Sequence, residues 1–310
     1  VCSSDLLGEP SYRADQILKW VYTGLARSFD EMTDLPLSFR RKLSSTCDLF
    51  TLVPVEERLS SDRQTRKVLF QLGDGKTVES ACMLYEQSEA SRARRTVCIS
   101  TQVGCPVGCP FCATGQQGFE RNLTVGEIIE QVLYFTWQAR CSGVQQPSQS
   151  LRRRSITNLV FMGMGEPLAN YEVVVGSIGV LNSRNGMGLG ARQITVSTVG
   201  LVPGIRRLAR ERIHVELAVS LHAASDRVRD VLVPVNRRYP LGQLIPACRE
   251  YLLETGRRPT FEYALFDGVN DSADQAHSLA DLLSGFECHV NLIPGNLTTN
   301  RQFRPSPARK

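Results

Sequence analysis

Nowhere in this chain do apolar residues run on for the roughly 18 positions that a membrane-crossing helix needs, and the N-terminus lacks the basic-then-apolar layout of a secretory signal. Both absences are expected of a cytoplasmic protein with no membrane contact. Ten cysteines in 310 residues are too sparse for a disulfide scaffold. There is no low-complexity tract and no repeat at the roughly 20 to 50 residue period of a solenoid. Strong charge of one sign is also missing: 36 Lys and Arg against 31 Asp and Glu leave a net +5, short of the basic excess of many nucleic-acid binders. Arginines do cluster, at Arg92, Arg94 and Arg95, at Arg152 to Arg154, at Arg206, Arg207, Arg210 and Arg212, and at Arg237 and Arg238. These are compatible with RNA and equally with solvated faces.

What is present is an ordinary globular composition, 42% hydrophobic and 22% charged, long enough for one large domain and a small appendage. The first six residues look like the translation of a sequencing adapter, so 1–6 is read as a scar and Cys2 carries no meaning. Residues 7–50 form a small helical module, with Ile17, Leu18, Val21 and Tyr22 at helical spacing and cap and turn residues over Ser28 to Leu35. Residues 51–94 are a connector in which Lys67 to Leu72 and Thr77 to Tyr85 flank Gly73-Asp74-Gly75-Lys76, the pattern of a β-hairpin. Glu79 falls on its second strand.

Over 95–296 strand-like runs alternate with helical stretches, as in βα units around a parallel sheet. The expected strands are Thr96 to Thr101, Asn158 to Gly163, Gln193 to Thr198, His214 to Ser220, Thr260 to Leu265 and Cys288 to Pro294. Thr124 with Glu127 makes a capping box ahead of Ile128, Ile129, Val132 and Leu133. Six such units make a partial barrel of the α/β class, a (βα)6 relative of the closed eight-stranded form, with its site at the C-terminal strand ends.

The chemistry concentrates in Cys105-Pro-Val-Gly-Cys109-Pro-Phe-Cys112, a CxxxCxxC loop expected four residues beyond a strand end. Three thiolates can hold three irons of a cubane and leave the fourth open. Gly104 and Gly108 let the backbone wrap closely where a Cβ would crowd it. A structural zinc site would want a fourth ligand, and no second CxxC pair or CxxxH follows.

That loop resembles those of radical-SAM enzymes, in which the open iron of a 4Fe-4S cluster binds S-adenosylmethionine (SAM). The resemblance narrows through Cys98-Ile-Ser-Thr-Gln-Val-Gly-Cys105, Gln116-Gln117-Gly118-Phe119, Arg121-Asn122-Leu123-Thr124, Met162-Gly-Met-Gly-Glu-Pro167, Val196-Ser-Thr-Val-Gly200, Ser220-Leu-His222 and Asn291-Leu-Ile-Pro294. In family order, from about Gly8 to about Asn296, these look like the RlmN/Cfr family of RNA adenine methyltransferases. The resemblance implies a radical-SAM barrel, ribosomal RNA as substrate with tRNA a further candidate, an external electron donor, and action as a monomer. It implies cluster ligands at Cys105, Cys109 and Cys112, and SAM contacts at Gly165, Glu166, Ser197, Ser220, Leu221, His222 and Asn296. Cys98 would be the cysteine that helps release product, and Glu79 the proton acceptor. C2 of adenine is not nucleophilic, so a polar methyl transfer is unattractive and the cofactor supplies a radical route.

Three departures stand against the pattern. The family's methyl-carrying cysteine lies in a C-terminal tail, whereas no cysteine follows Cys288 here. The expectation is therefore a truncated reading frame, with 297–310 a shortened segment, able to bind SAM but not to complete methyl transfer. Gly295 stands where a bulky residue is common, and Val199 where Ser or Thr is common. Besides C2 methylation, the alternatives are a C8-specific methyltransferase of the same family, a non-catalytic RNA-binding paralogue with a structural cluster, and a zinc-stabilised module.

Overall fold

A computed structural model describes residues 7–86, 93–141, 156–298 and 302–307. The expected scar, Arg92, and Arg152 to Arg154 lie outside the described residues. The chain divides into two compact units, one built from 1–97, 124–158 and 175–190, the other from 98–123, 159–174 and 191–310. Among the described residues no helix is long and apolar enough to cross a membrane.

In the first unit, helix α1 (Tyr12–Lys19) runs into a π-helical turn over Trp20–Gly24 that stops at Leu25, held at φ +56°. With α2 (Leu37–Thr46) it encloses a core of Ala26, Phe29, Met32, Leu35, Phe39 and Leu43, against which Ile17, Trp20 and Val21 pack. Of the four apolar residues expected at helical spacing, Ile17 and Val21 thus face this small core. Strands β1 (Val53–Leu59), β2 (Thr65–Gln71) and β3 (Thr77–Tyr85) form an antiparallel meander, and β4 (Arg94–Cys98) lies beside β3. The expected hairpin is therefore β2 and β3, closed at Gly75 with φ +82°, and β1 is an addition the sequence reading left out. Every residue of β1 is exposed, so it shows no apolar alternation, and Pro54 sits at a register shift of this edge strand.

Val68, Phe70, Val78 and Ser80 form the buried face of this meander. The later helix α4 (Val125–Cys141) belongs to the same unit. Phe70 meets Tyr134 and Phe135 edge-on, with centroids 4.9 and 6.3 Å apart, and Ser80 Oγ donates to Gln131 Oε1 at 2.5 Å. Such aromatic pairs add about 0.5–1.5 kcal/mol beyond their buried area. The capping box forms as expected: Glu127 Oε2 accepts from Thr124 N (2.8 Å) and Thr124 Oγ1 from Glu127 N (3.2 Å).

In the second unit β5 (Gln102–Gly104) pairs antiparallel with β6 (Phe119–Asn122), and α3 (Ala113–Gln117) lies between them in the chain. The parallel part consists of β7 (Asn158–Phe161), β8 (Ile194–Thr198), β9 (Glu216–Ser220), β10 (Thr260–Leu265) and β11 (His289–Pro294), each hydrogen-bonded to the next. Helix α5 (Tyr171–Asn182) belongs to the second unit only as far as Val174, while helices α6 (Val202–Arg210), α7 (Asp226–Leu232), α8 (Leu241–Thr255) and α9 (Ala273–Leu282) occupy the connections. Ile194 and Val196 on β8 and the consecutive Leu217, Ala218 and Val219 on β9 are all buried, so both faces of β9 are covered, as in a parallel sheet flanked by helices.

The sixth strand segment differs from expectation. The run over Thr96 to Thr101 stops being a strand at Cys98, and the chain continues beside β7 through Ile99 N to Val160 O and Gly163 N to Ile99 O, both 3.0 Å. Short β5 then leads directly into Cys105, so no four-residue gap separates strand from cysteine loop. β5 and β6 are too short to show a period of two, and their pairing is a tertiary event the local sequence does not encode.

Candidate active site

The cysteine loop is built by backbone contacts. Cys105 N donates to Gly118 O (2.8 Å), Cys112 N to Cys109 O and Gln116 N to Cys112 O (3.1 Å each). Gly104, at φ +72°, passes so close to β6 that an added Cβ would stand 1.8 Å from Gly118 O. Gly115 faces the loop likewise, with Cys109 O and N within 2.9 Å of any Cβ. Two glycines thus let the loop close where a side chain would intrude. Gly108 (φ +69°) has open space around it, so its role is conformational.

Cys109 is buried among Ala223, Val228, Leu232, Val233, Ala264 and Phe266, with Phe111 and Cys112 partly buried against the same cluster. Burial pushes the Cys105 thiol up to about 11 and Cys109 further still, and neighbouring cysteines of the loop raise both. Among the described residues no three His, Cys, Asp or Glu side chains already form a closed ligand set. The thiols nonetheless act on one another, and a metal would displace their protons. A glycine-lined loop bearing three mutually interacting thiols fits an iron–sulfur cluster with one open iron.

The strand end after β7 interlocks with the segment leading to the loop. Thr101 N donates to Met164 O, Met164 N to Ser100 Oγ and Glu166 N to Gln102 Oε1, each 2.8 Å. Gly163 and Gly165 lie so close that a Cβ on either would meet residues 99 to 102 at 2.7 Å. Glu166 is buried; its carboxylate accepts from Leu168 N (3.0 Å) and Val199 N (2.8 Å). Burial nevertheless raises its pKa to about 7, against the lowering by these donors and the Thr198 hydroxyl.

Ser197 Oγ donates to Phe161 O at 2.6 Å, tying β8 to β7. Leu221 N and His222 N both donate to Glu262 O (3.0 and 3.3 Å). His222 sits at φ +57°; its Nδ1 accepts from Ala264 N (3.0 Å), and its ring meets Phe111 of the cysteine loop edge-on at 5.0 Å. Burial lowers the His222 pKa to about 3, so the ring is neutral and Nε2 carries its proton. The Leu221 side chain is fully buried, while Asn296 beyond β11 is exposed. At Gly295 a Cβ would meet Leu265 O at 2.7 Å and the Phe266 ring at 2.8 Å, so in this chain Phe266 occupies the space of a bulkier residue.

Cys98 closes β4, and burial raises its thiol to about 11. The second unit therefore contains Cys98, the three loop cysteines, Gly165, Glu166, Ser197, Ser220, Leu221, His222 and Asn296. Glu79 belongs to the first unit, on the exposed face of β3, where Lys67 Nζ pairs with it at 2.9 Å and Glu56, Arg58 and Leu69 line the same concavity. Of the arginine clusters, Arg206 and Arg207 are held by Glu250 and Glu172. The sequence reading missed Arg229, Asn236, Gln102 and Asn270, whose polar side chains are buried in this unit. An arginine or asparagine inside a polar helix or loop carries no local mark of burial.

A family model of the ribosomal RNA large subunit methyltransferase N-terminal domain matches residues 4–49, and one of the radical SAM superfamily matches 99–280. The chain is 46% identical over 301 residues to a probable dual-specificity RNA methyltransferase RlmN of Moorella thermoacetica, covering 97% of this chain and 82% of that protein. It belongs to the RlmN family of radical SAM RNA methyltransferases. A second RlmN, from Heliobacterium modesticaldum, is 48% identical over 93% of this chain and 72% of its own length. The crystal structure of a radical SAM methyltransferase from Sphaerobacter thermophilus superposes with a TM-score of 0.90 at 51% identity, covering 97% of this chain and 84% of that one. The cofactors of this RlmN-family chain are accordingly a 4Fe-4S cluster and SAM.

Proposed function

We propose that the RlmN enzyme to which this chain corresponds methylates C2 of a specific adenine in large-subunit ribosomal RNA, and an adenine of tRNA as a second substrate, through a methyl-cysteine intermediate whose carrying cysteine this chain lacks, in the cytoplasm, as a monomer served by an external electron donor. The observation that carries this reading is the interlock between the cysteine loop segment and the Met162–Pro167 strand end, within a chain whose RlmN relatives match it nearly end to end. A cluster that was merely structural would have no use for the buried acceptor groups gathered at that strand end.

Cys105, Cys109 and Cys112 would bind the cluster, leaving one iron for SAM; Gly165, Glu166, Ser197, Ser220, Leu221, His222 and Asn296 form the SAM site. When bound, these cofactors supply the one-electron chemistry that a non-nucleophilic carbon requires. The absence of side chains at Gly163 and Gly165 lets this strand end close on residues 99 to 102, and the SAM ammonium is assigned to the main chain there. His222 offers one ring proton, on Nε2, because Ala264 N–H occupies Nδ1. Cys98 rests as a thiol at neutral pH and is assigned to product release, and Glu79 to proton acceptance.

Anaerobic reconstitution with iron and sulfide, followed by reduction with SAM and assay for 5′-deoxyadenosine, tests the reading. The wild-type chain should cleave SAM, and Cys109→Ala should not. A colourless, zinc-binding protein would overturn it. In an enzyme that carries the methyl-transferring cysteine the methylated carbon should map to C2, modification at C8 would reassign the regiochemistry, and methylated RNA from this chain alone would overturn the role given to that cysteine.

A further inference from the structure

Arg229, on α7, has no solvent exposure at all. Its Nη2 donates to Val199 O (2.6 Å) and Ser220 O (3.1 Å), its Nε to Leu221 O (3.0 Å), and its Nη1 to Asn236 Oδ1 (2.8 Å). Asn236 is held in turn: its Nδ2 donates to Asp226 Oδ1 (2.9 Å) and Asp230 Oδ1 (2.7 Å). One guanidinium therefore ties the main chain just past β8 to the main chain at the end of β9. The connection extends further, because Val199, whose carbonyl Arg229 holds, donates its N–H to Glu166 Oε2. Val228, Leu232 and Val233, on the same helix and just beyond it, pack around Cys109.

Burying a guanidinium costs several kcal/mol unless its donors are all satisfied. Stability alone would favour an apolar residue here, since the strand ladders already hold the sheet together. The fork geometry of arginine has a specific use: it fixes several carbonyls at once in one plane, which an ammonium cannot do. The three carbonyls it fixes belong to, or adjoin, the residues assigned to SAM. Its ionisation point, lowered by burial to about 10, still leaves it charged at neutral pH.

We propose that Arg229 is a positioning residue of the SAM site, holding the main chain at Val199, Ser220 and Leu221 in the arrangement that SAM binds. The inference rests on the SAM site proposed above. Its test uses the reconstituted full chain and SAM binding rather than turnover. Arg229→Lys retains the charge and most of the volume but loses the fork. The variant should keep its far-UV circular dichroism and iron content, while its Kd for SAM rises about tenfold, equal to about 1.4 kcal/mol. The change that SAM produces in the electron paramagnetic resonance spectrum of the reduced cluster should then need correspondingly more SAM. A folded, cluster-loaded Arg229→Lys with wild-type SAM affinity would overturn the proposal. If that variant does not fold, Asn236→Ala, which releases the guanidinium at one corner, decides: the Kd should rise about threefold, and an unchanged Kd overturns the proposal. Wild type and Cys109→Ala are run alongside. SAM binding absent from wild type, or undiminished in Cys109→Ala, would instead remove the SAM site itself.

Discussion

Two carboxylates with different assigned roles, Glu79 in proton acceptance and Glu166 in SAM binding, are held in opposite ways. Glu79, in the first unit, stands on an exposed sheet face and meets Lys67 in an ion pair with both side chains nearly half exposed. Glu166, in the second, is 2% exposed and is gripped by main-chain N–H groups from Leu168 and Val199. The first can move with its lysine and is screened by water; the second is fixed by the path of the backbone. The same contrast holds for the glycines. Gly75 turns a hairpin with nothing near it, whereas Gly104 turns a loop pressed against a neighbouring carbonyl. Substitution at Glu79 and Gly75 is accordingly expected to cost less stability than substitution at Glu166 and Gly104.

The largest effect expected from this contrast is at Gly104. Gly104→Ala would place a methyl 1.8 Å from Gly118 O and require a left-handed φ of a β-carbon residue. Both strands of the β5–β6 pair must then shift. Urea unfolding should show a loss above about 3 kcal/mol, and iron bound on reconstitution should fall with it. Gly75→Ala has the same φ problem without the collision, so it should cost only about 1–2 kcal/mol. Equal losses at the two sites would mean that the loop relaxes freely and that the difference between the units is illusory.

Next in size is a pH dependence set by two buried groups of opposite sign. Glu166 has its folded pKa raised from 4.5 to about 7, so its contribution to stability is fully present below 4.5 and is lost as pH rises through about 7. His222 has its folded pKa lowered from 6.5 to about 3, so its contribution is present above 6.5 and is lost as pH falls toward 3. Between about 4.5 and 6.5 the two slopes oppose each other, each about 1.4 kcal/mol per pH unit. Wild type without cluster should therefore be nearly flat there with respect to these groups. Glu166→Gln removes one slope, and its stability should fall as the medium is acidified from pH 6.5 to 4.5. Parallel curves for variant and wild type would mean that Glu166 ionises normally.

Much of this organisation can be read from residues alone, and the exceptions have physical causes. The cysteine loop, the capping box at Thr124 and the five parallel strands are local patterns: spacing, cap chemistry and short β-branched runs bounded by turns. Strand β1 escapes because all seven of its residues face solvent, so nothing alternates. Strands β5 and β6 escape because three or four residues contain no period. Arg229 escapes for a different reason: among charged neighbours in Asp226–Leu232 it looks like part of a solvated helix face, and only the carbonyls of Val199, Ser220 and Leu221 reveal what it is for.

The smallest stability effect should come from Lys67. Removing one partner of an exposed ion pair usually changes stability by less than about 0.5 kcal/mol, so Lys67→Met should melt within experimental error of wild type. The comparison with the second unit sharpens if catalysis is measured alongside. Should Glu79 accept a proton from the RNA adduct, its geometry matters to rate and not to folding, and Lys67→Met should slow RNA methylation in an enzyme that carries the methyl-transferring cysteine while leaving SAM cleavage to 5′-deoxyadenosine intact. Loss of both together would place the effect in the cofactor site of the second unit instead. Unchanged methylation would show that Glu79 does not depend on Lys67 for its position, and would leave Glu79→Gln as the substitution that tests the carboxylate itself.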